Sequence, residues 1–170
     1  YPLVDYGAAF LKNYRQSGMP QSAASLEIEY RDPHFWWVSA DINYLSDSYL
    51  SVSNIVRTQN FVTNPATGLS YDGATSSTVA NALRQQKLSD ITLVNISGGK
   101  SWKIDKTTLG FFASINNAFD FIYKTGGFEQ SRKANFADYQ ADNAYGSPAF
   151  GPKYFFGFGR NYFLNLYVNF

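Results

Sequence analysis

The sequence predicts an all-β chain whose antiparallel strands form a segment of a transmembrane β-barrel. Three observations predict it. Five stretches of about ten residues each are apolar at every second position, as strands with two different surroundings must be. The connections between them alternate in length: tiny, huge, tiny, huge. The composition is aromatic and weakly charged, with 18% Phe, Tyr and Trp and 16% charged residues, where ordinary globular chains carry about 25% charged. An aromatic-rich β-sandwich shares these traits and stays open as the alternative.

Taken in order, residues 1–20 contain Pro2, Gly7, Gly18 and Pro20 and read as the irregular end of an extracellular loop. Residues 21–170 read as barrel strands with long loops at 46–90 and 117–160. The first strand, 23–30, sets Ala24, Leu26, Ile28 and Tyr30 on one face and Ser25, Glu27 and Glu29 on the other. Arg31 to His34 is a turn, because Pro33 presets its own φ and cannot donate to a ladder. The second strand, 35–45, opposes Trp36, Val38, Ala40, Ile42 and Tyr44 to Trp37, Ser39, Asp41 and Asn43. Its aromatics stand at both ends, where two membrane interfaces would lie.

The loop 46–90 runs roughly 45 residues, against a usual median of about 4–6. Within it Asn64 to Gly68 is a turn, and 77–88 is a short helix capped by Ser76 or Ser77. The third strand, 91–102, sets Thr92, Val94 and Ile96 against Asn95, Ser97, Gly99 and Ser101. A tight turn at Asp105-Lys106 leads to the fourth, 107–117, where Leu109, Phe111, Ala113 and Ile115 oppose Gly110, Phe112, Ser114 and Asn116. The second long loop, 117–160, is rich in Gly, Asn and Tyr. In the last strand, 161–170, Tyr162, Leu164, Leu166, Val168 and Phe170 share one face, and Asn161, Asn165 and Asn169 share the other with Phe163 and Tyr167.

A terminal strand with apolar residues at alternate positions before a final Phe resembles the assembly signal of outer-membrane barrels. That resemblance implies recognition by the barrel-assembly machinery. It also orients the chain: short turns on the periplasmic side, long loops outside. The lipid-facing set would then be Leu26, Ile28, Val38, Ala40, Ile42, Val94, Ile96, Leu109, Phe111, Ala113, Ile115, Leu164 and Leu166. Five strands cannot close a bacterial barrel, which takes an even number and at least about eight. The expectation is a C-terminal portion of a larger barrel, or a piece completed by another chain.

Longer stretches carry a family resemblance. Residues 23–31 running into Phe35-Trp36-Trp37 resemble the late strands of TonB-dependent outer-membrane receptors, as does Ile115-Asn116-Asn117-Ala118-Phe119-Asp120. Gly127-Phe128-Glu129-Gln130-Ser131-Arg132, followed by Phe150-Gly151-Pro152-Lys153-Tyr154 and the final strand, is similar to receptors that carry an N-terminal carboxypeptidase-like regulatory domain. The resemblance spans about Gly18 to Phe170. It implies a 22-stranded barrel with an N-terminal plug, energised through TonB, that takes up nutrients across the outer membrane of a Gram-negative bacterium. The implied partners are membrane lipid, the remaining barrel and plug, TonB through an N-terminal part outside these residues, and a surface lipoprotein. The alternatives are a structural barrel component of a larger outer-membrane complex and a soluble β-sandwich binding module.

Other chemistry finds little support. The net charge is +1 with no Lys/Arg run, so no nucleic-acid partner is expected. With no Cys, disulfides and thiolate metal sites are excluded. No apolar run reaches the roughly 20 residues of a membrane helix. Tyr1 to Asp5 lacks the basic start and apolar core of a signal peptide, so an exported form would have been processed or would belong to a longer polypeptide. No catalytic residues, cofactor or metal are expected: His34 is the single histidine and reads as an interface residue. Glu27, Glu29 and Asp41 come together if the first two strands pair, and read as salt-bridging groups on a lumen wall. Gly98-Gly99-Lys100 lacks the spacing of a phosphate loop, and the sequon Asn95-Ile96-Ser97 lies mid-strand. Arg57, Asn60, Tyr71, Arg132, Tyr139 and Tyr145 sit on the long loops and are the candidate ligand contacts, since Arg and aromatic side chains make strong contacts.

Overall fold

The computed structural model describes residues 7–129, 135–144, 146, 148 and 151–170. Their fold is predominantly antiparallel β, and the chain divides into two compact units. One, the sheet unit, comprises Pro20–Ser48, Ser89–Lys124 and Phe156–Phe170. The other, the connection unit, comprises Tyr1–Met19, Tyr49–Leu88 and Thr125–Phe155.

The strands in chain order are β1 (Ser22–Asp32), β2 (Trp36–Ser46), β3 (Ile91–Ile104), β4 (Thr107–Asn116), β5 (Lys124–Phe128), β6 (Lys153–Phe156) and β7 (Asn161–Asn169). A five-stranded antiparallel sheet has the order β1-β2-β3-β4-β7. These are the five expected strands. Side chains repeat every second residue, so register decides which face each apolar set occupies. One row of partners runs Ile28, Ala40, Ile96, Ile115, Tyr162, and the next Tyr30, Val38, Gly98, Ala113, Leu164. The apolar set of every strand thus lands on one face.

Both tight turns lie at one end of the sheet. Residues 33–35 join β1 to β2, with Phe35 at φ 62° and its N–H donating to the Asp32 carbonyl at 3.1 Å. Asp105-Lys106 joins β3 to β4, with Asp105 at φ 54°, a left-handed conformation that Asp tolerates. Both long connections leave from the opposite end. There Asn117, at φ 51° and buried, closes β4: its N–H donates to Asn95 Oδ1 at 2.8 Å, and its Oδ1 accepts from Phe121 N at 2.9 Å. Asp120 Oδ1 accepts from Arg160 N at 2.7 Å, one residue before β7. The Asn117 and Asp120 side chains therefore fasten the exit of one strand to the entry of its neighbour.

The long stretches are not plain loops. The connection unit holds a 3-10 turn Ile55–Arg57, the helices α1 (Gln59–Val62), α2 (Ser76–Ala82) and α3 (Phe136–Asn143), and a two-stranded β5-β6 sheet. The helix expected at 77–88 starts one residue earlier and ends at Ala82. Its cap is Thr75, whose Oγ1 accepts from Thr78 N at 3.3 Å, rather than Ser76 or Ser77. Val56, Phe61, Leu83 and Phe136 form a buried core, with the Phe61 and Phe136 rings edge to face at 6.0 Å. The N-terminal segment is tied to this unit by Phe10 N to Arg57 O at 2.8 Å and Tyr14 OH to Leu83 O at 2.8 Å. At Gly127 φ is 150°, and a Cβ there would collide with the Lys153 carbonyl oxygen, so the close approach of β5 and β6 requires glycine.

Candidate functional site

The most unusual surface is the apolar face of the five-stranded sheet. Leu26, Ile28, Val38, Ile42, Ile96 and Leu109 all lie exposed on it, and on β7 Leu164 is 64% and Leu166 74% exposed. Contiguous apolar faces of this extent mark contact with a membrane or another surface. Val94, Phe111, Ala113 and Ile115, also expected there, are half-buried, and Ala40 is exposed. Aromatics bound the face at both ends. Tyr30 and Trp36 pack at 5.2 Å, and Trp102 and Phe111 at 6.0 Å, toward the tight turns. Toward the long connections stand Tyr44, whose OH donates to Asp90 at 2.9 Å, and Tyr162. From Trp36 to Tyr44 the face measures about 26 Å along the strand, at ~3.3 Å per residue. Lys100, near the tight-turn end, lays its ammonium 5.6 Å from the Trp102 ring and donates to the His34 carbonyl.

The opposite face is polar with an aromatic seam. Asp41 accepts from Asn95 at 2.9 Å and also from Asn43, and Ser39 and Ser97 bond through their hydroxyls at 2.7 Å. Glu27 stands directly across from Asp41, as the pairing of the first two strands requires, while Glu29 is bridged by Arg31. The seam follows the glycines. The Trp37 ring covers Gly99 and the Tyr167 ring covers Gly110, each from the facing register position. Trp37 stacks on Phe112 at 5.9 Å, and Phe112 meets Phe163 at 5.9 Å. Cross-strand aromatic cover of this kind offsets the missing glycine side chains. His34 sits in the first turn, exposed, with Nδ1 2.7 Å from Asp32 Oδ1.

The expected barrel-assembly residues Tyr162, Leu164, Leu166 and Val168 share the apolar face of β7, and Phe170 follows it, fully exposed. The expected loop contacts separate. Arg57 is only 3% exposed and is held within its own unit. Its guanidinium forms a two-pronged pair with Glu129 (Nη2 to Oε2, 2.8 Å), donates to the Ser53 and Leu83 carbonyls, and lies 4.4 Å over the Tyr14 ring. Burial would push this guanidinium's pKa down, but the Glu129 carboxylate holds it above the ordinary arginine value. Tyr71 packs on the buried core and Tyr139 meets Phe61 at 6.4 Å, while Asn60 is exposed on α1. Arg132 and Tyr145 lie outside the described residues.

Sequence reasoning missed the connection unit's cavity, about 520 Å³, which α3 shares with the segment after α2. Its apolar floor includes Leu50, Val56, Phe61 and Leu83, and Tyr139 lines it. Among the described residues no cluster of His, Asp or Glu is arranged to hold a metal. No helix among them is long and apolar enough to cross a membrane, which leaves crossing by strands untouched. The sequence matches no protein-family model and no curated protein.

Proposed function

We propose that this chain is a C-terminal barrel segment of a TonB-dependent outer-membrane transporter, supplying wall strands and ligand-side connections. The observation that carries the reading is the single exposed apolar face, continuous across five paired strands and edged by aromatics at both ends. Lipid is the surrounding that such a face matches, and the polar, asparagine-rich face suits a wet lumen. The alternation of tight turns and long connections supports the same orientation: turns at the periplasm, the long connections at 46–90 and 117–160 starting from the cell-surface end of the strands. On this reading the chain binds and passes a nutrient and carries no reaction.

Strand parity constrains what completes the wall. Neighbours in the sheet are all antiparallel, so β1 and β7, at its two edges, run in the same direction. A ring of copies of this chain would therefore set β7 parallel to the next β1. An antiparallel barrel has no place for that seam, and open edges in lipid cost several kcal/mol per unsatisfied group. The remaining wall must contribute an odd number of strands, at least about three. This favours a longer polypeptide or an unlike partner over self-assembly.

Site-directed labelling tests the reading, and these 170 residues bring no cysteine of their own. Single cysteines at Ile42, Leu166, Asn43 and Asn165 are introduced in the full polypeptide in outer membranes and spin-labelled. Oxygen, which concentrates in lipid, should relax the labels at 42 and 166, and a water-soluble nickel complex those at 43 and 165. Strong nickel access at all four positions would point to a soluble module. Exclusion of both reagents at 42 and 166 would point to a covering second sheet. Either result overturns the proposal.

A further inference from the structure

One edge of the sheet carries a charge that nothing in the described fold balances. β1 pairs only with β2, so its other edge offers its main-chain groups to no described strand. On the polar face Glu27 stands directly across from Asp41. Such positions lie about 4.5–5.5 Å apart at Cβ, and like charges there repel. Asp41 is compensated: the Asn95 side chain donates to it at 2.9 Å, and Asn43 donates as well. Glu29 is bridged by Arg31, whose guanidinium also lies 5.6 Å over the Trp37 ring. Glu27 is exposed and has no hydrogen bond or ion pair among the described residues. Arg31, the one cation of β1, stands four residues away, about 13 Å at ~3.3 Å per residue. The outer edge strand at the other side of the sheet, β7, holds no charged side chain at all.

We propose that the free edge of β1 is completed by an antiparallel wall strand that carries a lysine or arginine facing Glu27. The inference rests on the transmembrane reading and deepens it by naming what the neighbour must bring. In lipid an open edge leaves main-chain groups unsatisfied, so a strand has to pair there. It runs antiparallel, as every other pair of this sheet does. Its side chains alternate: apolar across from Ala24, Leu26 and Ile28, polar across from Ser25 and Glu27. A cation at the last position gives Glu27 an opposite charge on its free side, which offsets Asp41 on the other. The row across the wall then reads cation, Glu27, Asp41, Asn95. A neutral or acidic residue there would leave the two facing carboxylates with amides alone.

Two measurements on the full polypeptide test this. The first is a urea titration in phosphatidylcholine vesicles, with Asp41→Asn as the background so that Glu27 answers only to its free side. Adding Glu27→Lys to that background turns an attraction into a repulsion and should lower the folding equilibrium about fivefold. In about 1 M salt, where charges are screened beyond roughly 3 Å, the gap should shrink. Glu27 is exposed, so the change itself displaces no packed group. An unchanged or higher folding equilibrium would overturn the proposal. The second places the photo-cross-linker p-benzoylphenylalanine at position 23, 25 or 27 in outer membranes and maps each linked site by mass spectrometry. The three sites should fall in one segment and descend by about two residues each, as antiparallel pairing requires, and the site linked from 27 should lie at or beside a lysine or arginine. Links scattered over other segments would assign the cation to a body inside the lumen and overturn the proposal, as would a descending run with no basic residue at that site. The labelling at positions 42, 43, 165 and 166 reads the membrane proposal separately: lipid access at 42 and 166 with no charge penalty at 27 would sink this inference and leave the barrel standing.

Discussion

Leu166 is the most direct probe of what covers the apolar face. It sits midway between Tyr162 and Phe170, four residues from each, so about 13 Å from either aromatic at ~3.3 Å per residue. Its side chain is 74% exposed, and an arginine there displaces nothing in the chain. In water, Leu166→Arg would then change stability by no more than about 0.5 kcal/mol. In a bilayer the charge lies near the midplane and should cost ~2–4 kcal/mol, roughly 30- to 900-fold in the folding equilibrium. Asn165→Arg adds the same side chain one residue away on the polar face and should cost under about 1 kcal/mol. The assay is a urea titration of the full polypeptide folded into phosphatidylcholine vesicles, followed by tryptophan fluorescence. Equal losses for the two variants would refute the assignment of faces, as would a Leu166→Arg protein as stable as the parent.

Three further outcomes follow from other parts of the chain. Glu129→Ala strands the buried Arg57 charge; because Glu129 is itself about a fifth exposed, the loss should reach up to about 3 kcal/mol, and Arg57→Met with Glu129→Leu should recover most of it in thermal unfolding. Gly127→Ala should cost ~1–3 kcal/mol by driving a methyl into the Lys153 carbonyl, whereas alanine at Gly68, where a Cβ meets nothing within 4 Å, pays only for its φ of 70°. Deleting Phe170, or replacing Tyr162, Leu164 and Leu166 with Ser, should lower outer-membrane levels before any transport changes; quantitative blotting of membrane fractions checks it, and normal levels would count against the assembly role.

The five strands were legible because each carries an alternating apolar run, even where β3 interrupts its run at Gly98 and Lys100. Period-two patterning excludes any register slipped by one residue, and the sheet adopts one that puts Leu26, Ile42, Val94 and their neighbours on one side. The tight turns were legible for a local reason too: Pro33 and Asp105 carry their own backbone preferences. The motif at 115–120 was visible only as a resemblance. Its physical content, Asn117 and Asp120 reaching Asn95, Phe121 and Arg160, needs partners up to 40 residues away.

The connection unit failed to show for the same physical reason. Its core joins Val56 and Phe61 to Leu83 and Phe136, which lie in short apolar runs within polar segments where little period can build up. A four-residue helix such as α1 completes barely one turn, too little for a helical pattern to be read. Arg57 shows what the sequence leaves hidden. In a stretch of Ser, Asn, Thr and Gln, an arginine reads as a solvent-facing contact, since that residue type is almost never buried unpaired. What buries it is a carboxylate 72 positions away, together with carbonyls at Ser53 and Leu83 and the Tyr14 ring. The pairing rule was available from sequence; the partner was not, because nothing local marks Glu129 as the acid that the fold delivers. The same holds for the cavity, which exists only once distant segments close around Phe61 and Leu83.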